Sequence, residues 1–190
     1  MLVASLIVCV LLVLLTLRVL IKGPFVFSRT LVVCVDENGN ETSREWVREK
    51  PADRYESDGL SHLESYVKRL VEFEGFLATI LIFALDRQRG FSIYKTDGEP
   101  NIGLIFDTNS DGVKEKKARD FFSAKGCAVL QDYTAGCGSI PDATRILHWL
   151  APDNVLALTS LATEVGVELC GFSLSEGLEL RYNEKSDSPS

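Results

Sequence analysis

The sequence predicts an α+β fold, with a mostly antiparallel sheet packed with helices in two layers behind an N-terminal transmembrane helix. Three observations predict it. Residues 76–108 hold three apolar segments whose connections are too short for parallel crossovers. Amphipathic stretches of helical period lie before and after them. The chain opens on an apolar run that carries no charge until Arg18.

That run, "MLVASLIVCVLLVLLTLRVLIK", is long enough as a helix to span a hydrocarbon core of about 30 Å. It lacks the basic start and the small-x-small site of a cleaved signal peptide, so it reads as an uncleaved, single-pass anchor over residues 1–22. Arg18, Lys22 and Arg29 all follow the apolar stretch, and no basic side chain precedes it. The positive-inside rule then places the C-terminal domain in the cytoplasm. Residues 1–22 contain two basic side chains and no acid, so without them the net charge falls by two, from −7 to −9. An acidic remainder of this kind repels phosphate backbones, which argues against nucleic acid as a partner.

Residues 23–60 read as a β-hairpin and linker. "TLVVCVDENGNETSREWVREK" gives two strands around Asn38-Gly39, a strong short-range hairpin signal, and "PADRYESDGL" is a polar connection. The α+β domain is expected over residues 61–182. It opens with the helix "SHLESYVKRLVEFEG", where Ser61 and Glu64 have capping-box spacing and Leu63, Tyr66, Val67, Leu70, Val71 and Phe73 make a largely helical apolar stripe. "FLATILIFALD", "GFSIYKT" and "IGLIFDT" are the three antiparallel strands, the first apolar on both faces as a central strand should be. "VKEKKARDFFSAKG" reads as a helix stopped by Gly126, and "CAVLQDY" and "TRILHWLA" as strands about a Gly-rich loop. "PDNVLALTSLATEVG" reads as a further helix, and "VELCGFSL" with "LELRY" as a closing hairpin. Residues 183–190 form a polar tail.

Two groups of residues invite a chemical reading. In "DTNSDGVKEKKA", Asp107, Asn109, Asp111 and Gly112 occupy the first, third, fifth and sixth positions of a calcium loop. Position 12, which supplies a bidentate Glu in an EF-hand, is Ala118, and Lys114, Lys116 and Lys117 crowd the same segment. The same letters suit a turn in which Asp111 caps the next helix. Cys127 or Cys137 with His148 could form a thiol-base pair if the fold joins them, although no metal-binding Cys spacing is present. Otherwise these cysteines serve as small apolar side chains.

The order of helix, three-strand meander, helix, strands and late helix resembles the type III secretion chaperone-like superfamily, with its YbjN-like and TY-Chap relatives. The resemblance covers about residues 61–166, on "FLATILIFALDRQRGFSIYKTDGEPNIGLIFDT" and "TRILHWLAPDNVLALTSLATEVGV". It implies a two-layer module that binds another protein through its sheet or helix surfaces, often as a dimer, and it implies no catalytic residues and no cofactor. The anchor and the early hairpin depart from that pattern. The expectation is therefore a membrane-anchored, non-catalytic interaction module of adaptor or chaperone-like kind. An anchored Cys/His enzyme and a calcium-responsive membrane protein are the alternatives.

Overall fold

The computed structural model describes residues 29–35, 41–48, 52–96, 98–108, 110–135 and 144–185. The anchor at 1–22, the Asn38-Gly39 turn, Asn109, Cys137 and the tail beyond Lys185 lie outside them. Among the described residues no helix is long and apolar enough to cross a membrane.

Strands β1 (Arg29–Val35) and β2 (Glu41–Arg48) pair in a sheet of their own. A second, seven-stranded sheet is built from β3 (Asp53–Arg54), β4 (Leu77–Ala84), β5 (Gly90–Thr96), β6 (Glu99–Asp107), β7 (Val129–Ala135), β8 (Thr144–Leu150) and β9 (Leu178–Lys185). Its order is β3-β9-β4-β5-β6-β8-β7, and every pairing is antiparallel. Three helices accompany it: α1 (Leu63–Glu72), α2 (Gly112–Ala124) and α3 (Val155–Glu164). The fold is α+β with an antiparallel sheet, as its short connections require.

One face of the sheet is the core. Successive side chains on a strand point to opposite faces, so the register sorts them. Ile80 opposes Ile93 and Tyr182, while Ile102 opposes Ile93 and Trp149, and all of these are buried. The α1 stripe covers this face with Leu63, Val67 and Leu70, each fully buried and each contributing about 2 kcal/mol of transfer free energy. Phe122 of α2 stacks on Trp149 at 4.1 Å between ring centroids. Lys95 runs along the same face to the end of α1, where its ammonium donates to the carbonyls of Val71 and Phe73 at 2.6 Å each. Leu158, Leu161 and Ala162 of α3 complete the layer.

Three local expectations differ from the structure. Ser61 does not cap α1: a 3-10 turn, Gly59–His62, precedes the helix, and the Ser61 hydroxyl donates to the Asp58 carbonyl at 2.6 Å. The turn is available because Asp58 takes a left-handed φ of 54°, and it uses the hydroxyl that a capping box needs. The closing hairpin also does not form. Residues 165–169 continue α3 as a π-turn, and β9 crosses to lie between β3 and β4. Arg89 holds the intervening loop by donating to the carbonyl of Gly171 at 2.8 Å and pairing with Glu176. Finally, the 51–60 connection contributes Asp53 and Arg54 to the sheet edge opposite Leu180 and Glu179. Gly177 permits this approach, because a Cβ there would stand 2.4 Å from the Tyr55 carbonyl oxygen.

Candidate functional site on the second sheet face

The second face alternates with the core. It presents Leu81 and Phe83 from β4, Ser92 and Tyr94 from β5, Gly103 and Ile105 from β6, and Ile146 and His148 from β8. None of the three helices packs on it. An antiparallel sheet can turn one face to water, but such a face is ordinarily polar. Here Ile105, on an inner strand, is 64% exposed and lies opposite Ile146, which in turn opposes Tyr133.

Gly103 organises the centre. It lies between Ser92 on β5 and His148 on β8, and a Cβ at Gly103 would meet Tyr94 Cε2 at 3.0 Å and His148 Cδ2 at 3.1 Å. Without that Cβ, the Tyr94 and His148 rings stack across the strand at 5.0 Å and 14°. Burial lowers the His148 pKa from 6.5 to about 4 and raises that of Tyr94, so both rings are neutral at physiological pH. No hydrogen bond to the His148 ring occurs among the described residues. Asn101 is 2% exposed, and among the described residues its Oδ1 has no hydrogen-bond partner.

At the β3–β9 border the character changes. Glu179 is fully buried, and three arginines converge on its carboxylate. Arg54 Nε donates to Oε2 at 3.0 Å, Arg87 Nη2 to Oε1 at 3.0 Å, and Arg181 Nε to Oε1 at 2.7 Å. Burial acts to raise the Glu179 pKa, but the bonds from Arg181 and Arg87 outweigh it and hold the carboxyl below its ordinary value. Arg87 reaches the site from the β4–β5 turn through a left-handed φ of 57°.

The expected thiol pair is not assembled from the described residues. Cys127 packs against the core, whereas His148 belongs to the second face. Burial raises the Cys127 pKa and pushes Cys170 up to about 12, which disfavours either thiolate. Cys170 donates its thiol to the Gly90 carbonyl at 3.7 Å.

The calcium-loop letters are also accounted for locally. Asp107 ends β6, and Asp111 precedes α2 without capping it through its side chain. Instead Asp111 Oδ2 accepts the Asp107 amide at 3.1 Å, and Oδ1 meets Lys114 Nζ at 2.7 Å. Lys114, helped by that amide, holds the Asp111 carboxyl below its usual range. Both oxygens are thus engaged, and Ala118, at the position of the missing Glu, is 1% exposed in the core. Among the described residues no group of three His, Cys, Asp or Glu side chains is arranged to hold a metal ion. The side-chain cap falls instead on α3, where Asn154 Oδ1 accepts from Leu156 and Ala157 at 3.0 and 3.1 Å.

Sequence reading passed over Tyr94, Asn101 and the arginine cluster. A signal for the last was present in "LELRY", where Glu179 and Arg181 alternate with Leu178, Leu180 and Tyr182. Nothing local pointed to Arg54, which lies 125 residues from Glu179.

Comparison with protein families, curated proteins and solved structures finds no match to this chain.

Proposed function

We propose that this protein is a membrane-anchored, non-catalytic interaction module, an adaptor or chaperone-like subunit whose second sheet face receives a protein partner in the cytoplasm. The observation that carries the reading is Ile105, 64% exposed on an inner strand beside Ile146. Apolar surface in the middle of a sheet face marks a contact site more often than a solvent face. Attachment through residues 1–22 rests on their apolar run, and the cytoplasmic side rests on Arg18, Lys22 and Arg29.

Proximity labelling in native membranes tests the whole proposal. The wild-type chain should label a defined set of neighbours, and Ile105→Asp should lose part of that set while remaining membrane-bound. An unchanged set would refute the face. Recovery of the full chain in the salt-washed soluble fraction would refute the anchor, and external protease digesting the domain on intact cells would refute the orientation.

A further inference from the structure

Three guanidinium groups on one buried carboxylate are more than that carboxylate requires. One Arg offsets the charge of Glu179, and a bidentate fork satisfies its oxygens. Arg54 and Arg87 alone outweigh the single charge of Glu179, on a chain whose net charge is −7. Among the described residues, Glu179 is the only acid that Arg54 and Arg87 meet. Their side chains are 62% and 52% exposed, so each presents its remaining N–H donors to solvent. Arg181, only 14% exposed, donates to the same Oε1 that Arg87 reaches and helps to fix the carboxylate. Glu179 thus holds two outward guanidinium forks in place, which lowers the entropy cost of engaging a second anion.

The neighbourhood narrows the anion. Glu179 lies opposite Phe83 and Arg181 opposite Leu81, so the cationic border runs directly into the apolar part of the same face. A free phosphate would use the arginines alone, whereas an extended segment alternating acidic and apolar side chains would use both. We propose that Arg54 and Arg87, oriented by Glu179 and Arg181, form a receptor for a carboxylate-bearing segment of the protein partner. This rests on the assignment of the second face as the partner's, and it adds that partner's chemistry.

The test uses the full chain in nonionic detergent micelles and a fluorescein-labelled twelve-residue peptide alternating Glu and Val, read by anisotropy against empty micelles. Binding is expected, weakening with salt and falling about tenfold in Arg54→Gln and in Arg87→Gln, while the melting temperature of each variant stays close to wild type. Each variant leaves Glu179 two of its arginines, so the fold keeps a paired carboxylate. The matching peptide alternating Lys and Val should not bind. Equal affinity in wild type and both variants, equal binding of the Lys peptide, or no peptide binding at all would overturn the proposal. So would binding of pyrophosphate without peptide binding, which would make the cluster a phosphate site. A failed peptide assay beside an intact Ile105-dependent neighbour set would sink the arginine receptor alone.

Discussion

The two faces of the seven-stranded sheet use the same strands for opposite ends. On the helix side, Ile80, Ile93, Ile102 and Trp149 are closed off by α1, α2 and α3, and Lys95, which enters there, donates its ammonium to helix-end carbonyls. On the other side, apolar side chains share the face with a neutral histidine, an Asn101 oxygen that has no partner among the described residues and a buried carboxylate held by arginines. The first face is consistent at every level, from pattern to packing. The second breaks several rules at once, and such breaks concentrate where proteins bind other molecules.

Stability measurements should separate the faces most clearly. Trp149→Ala removes the ring stacked on Phe122 and should cost about 3–5 kcal/mol in chemical denaturation. Ile105→Ala, on the second face, should cost less than about 1 kcal/mol. Equal losses would mean that the second face is also core. Glu179→Gln marks the exception on that face: it leaves three arginines around an uncharged amide and should cost about 3 kcal/mol.

Acidity gives the next largest difference. His148 has a folded pKa near 4 against 6.5 unfolded, so the unfolded chain binds more protons between those values. Stability from this group is intact above pH 6.5 and is lost as pH falls toward 4, by about 2–3 kcal/mol. Carboxylates such as Glu179 titrate in the same direction. The diagnostic is therefore the difference between wild type and His148→Gln, which should lose that part of the slope. Superimposable pH profiles would show that His148 is solvated.

The smallest contrast concerns the helix starts. Asn154→Ala removes two hydrogen bonds from α3 and should cost about 1 kcal/mol, whereas Asp111→Ala removes no side-chain cap and should cost less than about 0.5 kcal/mol. Thermal melts of the two variants resolve this, and a larger loss for Asp111 would restore its capping role.

What was legible in the residues follows the same division. Period and turn chemistry exposed β4, β5 and β6, the apolar helix stripe that includes Leu63, Val67 and Leu70, and the existence of β8, because each depends on neighbours within a few residues. The insertion of β9 between β3 and β4 was not legible, since an alternating strand such as "LELRY" shows which side chains share a face but not which strand it will join. The arginine cluster depends on that insertion: Arg54, Arg87 and Arg181 meet only after β9 is in place. The Asp111 cap failed for a different reason, as the same carboxylate had a nearer amide at Asp107 and a cation at Lys114.

The central claim is that the second face, and not the helix layer, meets the partner. Photo-crosslinking from a benzoylphenylalanine placed at position 105, compared with one at Leu156 on α3, which is slightly more exposed, tests it in native membranes. The account predicts a discrete crosslinked protein from position 105 that is absent from position 156. A product from 156 with none from 105 would contradict it.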